Sequence, residues 1–262
     1  MTDYVLVTVE DGVQIVTINR PDKKNALTAE MYKVLADAIE TADADPKIRV
    51  TYYTGTGGSF TAGNDLADFA KAGTTPLDEQ PKEKPHVTRF LENLANAEKP
   101  VVAAVNGLAV GVGVTMLLHC DLVYAGASAT FQMPFVNLGL VPEAGSTFLL
   151  QRQIGIQKAA DLFLTGKKIG AEKAEAIGLV ADVFPDNELP VEALARAKAL
   201  AAKAPNAVRA TKALLKDNDR PRVGEAREAE ARVFAAQLRS DEVKEAISAF
   251  FEKRPPDFSK FG

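Results

Sequence analysis

Apolar runs and helical repeats alternate along the first two thirds of the chain, and helical repeats alone fill the rest. Residues 4–10 and 13–18 are apolar or alternating around Asp11-Gly12, which predicts a β-hairpin. The segment 19–22 breaks that pattern. Thr28 is placed to cap a helix in which Met31, Val34, Leu35, Ala38 and Ile39 share one face, and Asp45-Pro46 ends it. Residues 50–54 read as a strand, 55–58 as a glycine-rich turn, and 59–66 as a second turn leading into a helix. Residues 73–85 carry Pro76, Pro81 and Pro85 among mostly polar neighbours and read as a mobile surface loop. A helix then runs to about Ala97, with Val87, Phe90, Leu91 and Leu94 on its buried face.

The apolar run 101–105 lies between Pro100 and Asn106-Gly107, the pattern of a buried strand. Gly107, Ala109, Gly111 and Gly113 follow, then an apolar stretch over 114–118 that reads as a helix. Helices are predicted over 146–153, 158–164 and 171–176, and a strand over 180–184. Helices over 189–203, 206–216, 222–239 and 242–252 complete the chain, so strand content stops near Pro185. The fold class is α/β: strand-strand-helix units over residues 1–190, then a helical region over 191–262.

The centre of this pattern holds the candidate chemistry. Glycines let a ligand approach the backbone, and a helix N-terminus offers unpaired N–H groups to developing negative charge. Glu143, between Pro142 and Ala144-Gly145, is a lone acid in apolar company. Oxyanion donors beside such a carboxylate suit proton abstraction next to a carbonyl. Two other readings stand beside this one. The glycine segment also suits close helix–strand packing, and Glu143 also suits an acid at the N-terminus of a helix beginning near Ser146. The segment is not a dinucleotide fingerprint, because the G-x-G-x-x-G spacing and its acidic partner are absent.

Composition narrows the class. The chain has 262 residues, 47% hydrophobic and 25% charged, which is ordinary for a globular protein able to bury a sizeable core. A net charge of −4 gives no bulk attraction to nucleic acid. The single cysteine, Cys120, excludes an intramolecular disulfide and fits a reducing compartment. The start MTDYVLVTVEDG carries no secretory pattern, the end SKFG is not the usual peroxisomal tripeptide, and no apolar run reaches membrane-spanning length. A cytoplasmic protein without nucleic-acid or membrane partners is expected.

Three segments in order, AAVNGLAVGVG (103–113), CDLVYA (120–125) and LGLVPEAG (138–145), resemble the crotonase (enoyl-CoA hydratase/isomerase) superfamily. That resemblance implies a spiral of ββα turns with a C-terminal helical region that packs on the core or on a neighbour. It also implies a trimer or dimer of trimers, and an acyl-CoA thioester substrate with no prosthetic group. TAGNDL (61–66), which alone reads as a capped helix, sits where the family places its first oxyanion-hole peptide. The backbone N–H groups of Asn64 and Val112 would be the two donors, with Ala62, Gly63, Asp65, Leu66 and Gly111 around the bound thioester.

Hydratases of the superfamily use two glutamates, and the matching positions here are Thr115 and Phe135. Neither can act as a carboxylate base. Glu143 instead matches the single catalytic glutamate of Δ3,Δ2-enoyl-CoA isomerases, and RPDKKNA (20–26) and GNDL (63–66) resemble the peroxisomal-type isomerases. The acyl-CoA-binding domain that some of those carry has no counterpart among these residues. Burial among Phe135, Leu140 and Val141 is expected to raise the Glu143 pKa. An unusual hydratase, another crotonase-type reaction (hydrolysis, decarboxylation or ring chemistry), and a non-catalytic CoA-binding or scaffold role stay open.

The resemblance places Lys23, Lys24 and Ala26 at the nucleotide end of CoA, and Phe250 and Lys253 in a segment that reaches CoA, often from a neighbouring subunit. Solvated surface charge is the other reading of each lysine. Acyl-chain walls are expected among Leu66, Phe69, Phe90 and Phe135, with core packing the first expectation for any single one of them. Adjacent residues do not converge on one side of a helix, so His119-Cys120-Asp121 reads as the end of a buried helix and not as a triad or metal cluster. His86 is expected at the surface, Ser146 lacks a G-x-S-x-G elbow, and Glu225, Arg227, Glu228 and Glu230 read as a solvated helix face.

Overall fold

The computed structural model describes residues 3–68 and 83–261. Strands β1 (Val5–Glu10) and β2 (Val13–Ile18) form the expected hairpin. Asp11 (φ 49°) and Gly12 (φ 78°) both take the left-handed conformation that a two-residue turn of this twist requires. Helix α1 (Ala29–Ala44) starts where the Thr28 side chain accepts the Met31 N–H, and buries Met31, Leu35, Ala38 and Ile39. Next come β3 (Val50–Gly55), β4 (Ser59–Thr61), α2 (His86–Asn96), β5 (Val101–Val105), β6 (Leu108–Val110) and α3 (Val112–Thr115). A 3-10 turn over Met116–His119 leads to β7 (Leu122–Gly126) and β8 (Thr130–Gln132). Then follow α4 (Ser146–Ile154), α5 (Ile156–Thr165), β9 (Lys168–Gly170), α6 (Ala171–Ala176) and β10 (Asp182–Phe184). The chain ends in α7 (Leu189–Ala201), α8 (Pro205–Lys216), α9 (Arg220–Gln237) and α10 (Asp241–Glu252).

The first sheet has the order β1-β2-β3-β5-β7-β10 and is parallel except for the hairpin. The second has the order β4-β6-β8-β9, parallel except for β9. Each of β3, β5 and β7 thus turns a corner into a short strand of the second sheet, and successive corners stack. The second sheet departs from the sequence expectation. Residues 59–61 and the glycine segment over 108–110 read as turns in the sequence, and the β8 and β9 segments do not read as strands, nor does β7 of the first sheet. Strands of three residues carry too little alternation to register as a period, and their pairing is set by the stack of corners.

Gly107 shows how tight that stack is. Its φ is +69°, and a Cβ there would lie 1.9 Å from the Gly58 carbonyl oxygen. Asn25, fully buried, accepts the Arg20 N–H at 2.7 Å and donates to the Thr56 and Ser59 carbonyls at 2.9 and 2.6 Å. It pins the segment before α1 to the first corner.

Both faces of the first sheet are covered, as a mostly parallel sheet requires. One face, with Val16, Tyr53, Ala103 and Val123, packs against Phe60 and Phe131 of the second sheet and against α1 and α2. The other face, with Val50, Tyr52, Val102 and Tyr124, packs under Leu189, Ala193 and Ala197 of α7. Phe90, one of the acyl-chain wall candidates, takes the core position that its helix face predicts, with its ring beside those of Tyr32 and Tyr53. His86, expected at the surface, is half-buried. Phe69 and most of the expected loop over 73–85 lie outside the described residues.

The C-terminal helices are tied down by buried charge. Lys212 donates to the Lys99 carbonyl at 2.6 Å and pairs with Asp121 at 2.8 Å, and Lys216 pairs with Asp121 at 3.0 Å. No helix among the described residues is long and apolar enough to cross a membrane.

Gly107→Ala is expected to lower the unfolding free energy by more than about 3 kcal/mol, through overlap with the Gly58 carbonyl and a disfavoured φ. Gly58→Ala, with open space around its new methyl, should cost only about 1 kcal/mol. Urea denaturation of both variants measures the difference, and equal midpoints would show that the corners are free to part.

Candidate active site

The ends of β4 and β6 bring two backbone segments side by side. Gly63 (φ +87°) approaches Val110 so closely that a Cβ on it would lie 2.7 Å from the Val110 carbonyl oxygen. A Cβ on Gly113 would lie 2.6 Å from the Thr61 side chain. Residues 61–63 and 110–113 therefore meet closely at two points. Leu27 donates to the Gly63 carbonyl at 2.8 Å and accepts from Asp65 at 2.9 Å. The Asn64 N–H between them points away from that strand and has no partner among the described residues. Gly111, at φ 56° and ψ −118°, turns the chain into α3. Val112 is the first residue of that helix, so its N–H has no intrahelical acceptor. Two unpaired donors thus sit on adjoining backbone.

α3 also carries the contact to the acid. Thr115, fully buried at the end of the helix, donates its hydroxyl to a Glu143 carboxylate oxygen. Glu143 is half-buried and sits in a turn whose next two residues, Ala144 (φ 67°) and Gly145 (φ 73°), are both left-handed. Such a conformation at alanine costs about 1–2 kcal/mol and must be held from outside. It is held on both sides. The buried His119 ring donates through Nε2 to the Ala144 carbonyl at 2.7 Å. Glu230 of α9 accepts the Gly145 N–H at 2.6 Å and the Thr147 N–H at 2.9 Å.

Loss of water around Glu143 pushes its pKa up to about 7. The Thr115 hydroxyl opposes the rise, the Glu230 carboxylate adds to it, and Arg227 opposes it again. Tyr32 faces the same carboxylate and donates its hydroxyl to the Asn64 side-chain oxygen, linking the acid's surroundings to the unpaired N–H of Asn64. Burial drives His119 down to about 4, so its ring is neutral and the Nε2–H tautomer serves the turn.

The other sequence candidates divide into two groups. Ala62, Gly63, Asp65 and Leu66 surround Asn64. Asp65 forms an ion pair with Arg20 at 2.6 Å, and Arg20 also donates to the Ala26 carbonyl at 3.1 Å. Ala62 donates to the Lys24 carbonyl at 2.9 Å. The segment of Lys23, Lys24 and Ala26 is thereby laid against the Asn64 peptide, with both lysines exposed. Phe135 is buried beside the turn leading to Leu140, which donates to the Phe135 carbonyl at 2.9 Å. Phe250 and Lys253 stand apart. They are exposed near the end of α10, and no hydrogen bond or ion pair joins either to the other candidates. His119-Cys120-Asp121 forms no triad: burial pushes the Cys120 thiol up to about 12, and Asp121 is taken by lysines. No group of His, Cys, Asp and Glu among the described residues could hold a metal ion.

Glu230 corrects the sequence reading. Expected on a solvated face, it is 6% exposed and bonded to the Glu143 turn. Its spacing carried a signal that the charged composition of α9 concealed. Val223, Glu230 and Phe234 fall at i, i+7 and i+11, on the stripe that faces the core.

Stacked parallel sheets joined strand by strand, with unpaired N–H donors beside a buried acid, make up a crotonase fold. The chain belongs to the enoyl-CoA hydratase/isomerase family, whose family model matches residues 8–260. It is 38% identical over 251 residues to enoyl-CoA delta isomerase 2 of Rattus norvegicus, covering 96% of this chain and 64% of the rat protein. The chain therefore spans less than two thirds of the length of that relative. It is 35% identical over 256 residues to the 2,3-dehydroadipyl-CoA hydratase of Escherichia coli K12, covering 97% of this chain and 98% of the hydratase. Among solved structures, an enoyl-CoA hydratase/isomerase from Pseudoalteromonas atlantica T6c superposes with a TM-score of 0.92 at 45% identity, covering 98% of this chain and 100% of that one. Overall identity thus does not separate isomerase from hydratase, and the site residues must.

A carboxyl whose folded pKa is raised stabilises the protein most while it is protonated, and that contribution is lost as pH rises through the folded pKa. Glu143, raised from 4.5 to about 7, should therefore cost the native state roughly 3 kcal/mol above neutral pH. Glu143→Gln should match the natural protein in urea denaturation below pH 4.5, gain on it as pH rises to 7, and hold a constant advantage above that. A difference that does not change with pH would mean that Glu143 titrates normally.

Proposed function

We propose that the protein is a Δ3,Δ2-enoyl-CoA isomerase in which Glu143 is the only carboxylate base. The observation that carries this reading is the pairing at the site. A single acid raised to about 7 stands with Thr115 and Phe135 at the positions where a hydratase needs its two glutamates.

In this reading the Glu143 carboxylate removes a proton from C2 of a 3-enoyl-CoA. The C2–H electron pair delocalises into the thioester carbonyl, and the resulting dienolate oxygen is held by the Asn64 and Val112 N–H groups. The Glu143 carboxylic acid then returns its proton at C4, and the double bond settles between C2 and C3. No atom is gained or lost. The Thr115 hydroxyl occupies one carboxylate oxygen, which leaves the other to serve both carbons across a flat, fixed substrate. A base with a pKa near 7 is well matched to neutral operation.

CoA recognition by Lys23, Lys24 and Ala26, with the acyl chain near Leu66 and Phe135, belongs to the same proposal, and no prosthetic group is needed. Phe250 and Lys253 then serve the site of a neighbouring subunit in a trimer or dimer of trimers. Their exposure in the single chain supports that assignment, as do the exposed Leu214 and Leu215. The similarity to a hydratase keeps hydration as the second reading.

Purified protein should convert trans-3-hexenoyl-CoA to 2-hexenoyl-CoA and leave crotonyl-CoA unhydrated, as read by chromatography with mass detection. Glu143→Gln should lower kcat by about 10²–10⁴-fold, and kcat/KM should rise with pH through about 7. Rapid formation of 3-hydroxybutyryl-CoA would overturn the isomerase assignment in favour of hydration.

A further inference from the structure

The turn that carries Glu143 is gripped by a carboxylate from a remote part of the chain. Glu230 lies 85 residues beyond Gly145 in sequence. Its oxygens accept the Gly145 N–H at 2.6 Å, the Thr147 N–H at 2.9 Å and the Thr147 hydroxyl at 2.5 Å. Gly145 and Thr147 belong to the first turn of α4, whose N–H groups have no intrahelical acceptors. A neutral serine or asparagine at the cap could satisfy such donors, but the cap residue here is Gly145, which has no side chain. The work falls to a buried anion near the half-buried Glu143 carboxylate, and like charges in a poorly solvated site repel strongly. An arrangement so unfavourable for stability points to a use in chemistry.

We propose that Glu230 is a positioning residue for the reaction: it fixes the 142–145 turn so that the Glu143 carboxylate faces the reacting carbons. The proposal rests on the assignment of Glu143 as the base.

Its geometric half comes from the turn. Ala144 and Gly145 are both left-handed. The turn also lies directly on α9, where a Cβ on Gly145 would meet the Val223 and Arg227 side chains at 3.0 and 3.1 Å. Without the Glu230 oxygens, the Gly145 N–H is left buried without an acceptor and the turn is free to relax. Its electrostatic half comes from the groups that face Glu143. They are Thr115 from α3, Tyr32 from α1, and Arg227 and Glu230 from α9. His119 meets the turn at the Ala144 carbonyl and is neutral. Arg227 lies 3.5 Å from Glu92 of α2, which draws on its charge. Glu230 is thus the anion that opposes ionisation of Glu143. Burial pushes the Glu230 carboxyl up in turn, while its three donors and Arg227 favour the ionised form.

The test is steady-state turnover of trans-3-hexenoyl-CoA across pH by the natural protein, Glu230→Gln, Glu230→Asp, Thr147→Val and Glu143→Gln. Glu230→Gln keeps the shape and loses the charge. Its kcat should fall about 10–100-fold with KM little changed, and the acid limb of kcat should move to lower pH. Glu230→Asp keeps the charge on a shorter stem, so kcat should fall with the limb at its original pH. Thr147→Val removes one of the three contacts and should lower kcat a few-fold in a protein that still folds. Titration of carboxyl-labelled glutamate by 13C NMR, with Glu143→Gln assigning the signal, gives a readout independent of turnover. The Glu143 midpoint should drop in Glu230→Gln. In Glu230→Gln, an unmoved midpoint, or a loss of kcat with the limb unmoved, reduces Glu230 to a structural contact and overturns the proposal. Full activity in Glu143→Gln would overturn the assignment of the base itself, and with it this proposal.

Discussion

The approach of Gly107 to the Gly58 carbonyl is the contact on which the rest of the molecule depends. Two sheets joined strand by strand stay in register only if their corners stack, and they stack this closely only where one residue has no side chain. Once the corners touch, β4 and β6 must run side by side. The peptides that follow them are then brought together, and the close approaches of Gly63 to Val110 and of Gly113 to Thr61 complete the fit. The adjacency of the unpaired Asn64 and Val112 N–H groups is thus a by-product of sheet geometry. It is rigid because breaking it would mean separating the sheets.

The acid is placed by opposing forces. Loss of water makes Glu143 a better base, while the Thr115 hydroxyl and Arg227 keep it able to ionise at all. Its turn is the reverse of the corner stack. There the fold is held by a missing side chain, whereas here a left-handed alanine is held by side chains from two other elements, His119 and Glu230. One half of the site is built into the sheets, and the other is imposed on a loop from outside.

Much of this was legible in the order of residues. The hairpin around Asp11-Gly12, the cap at Thr28 and the C-terminal helices carry strong local signals, and each lies within two residues of its expected place. The second sheet was not legible. Its strands are three residues long and pair across distant parts of the chain, so nothing local marks them. The same contrast runs through the site. Glu143 stood out as a lone acid among apolar residues, and the glycine segment marked the close backbone approach. Glu230 was hidden because the charged composition of its helix outweighs the core-facing spacing of Val223, Glu230 and Phe234. Phe90 shows the same limit, since an aromatic on a helix face reads alike whether it lines a pocket or fills the core.

The segment around Lys23 and Lys24 has a consequence that concerns energy transfer. It is bonded along its length to the Asn64 peptide, through Lys24 to Ala62, Leu27 to Gly63 and Asp65, and Arg20 to Asp65. Under the proposed assignment, whatever the nucleotide end of CoA presses against is the back of the oxyanion peptide. The handle of the substrate and the grip on its reacting oxygen are then one mechanical part. Attraction far from the double bond is delivered as alignment at the carbonyl, where it counts toward the speed of the reaction as well as toward its affinity. A thioester stripped of its nucleotide would keep its reacting carbons, but would meet a peptide with nothing pressing it home.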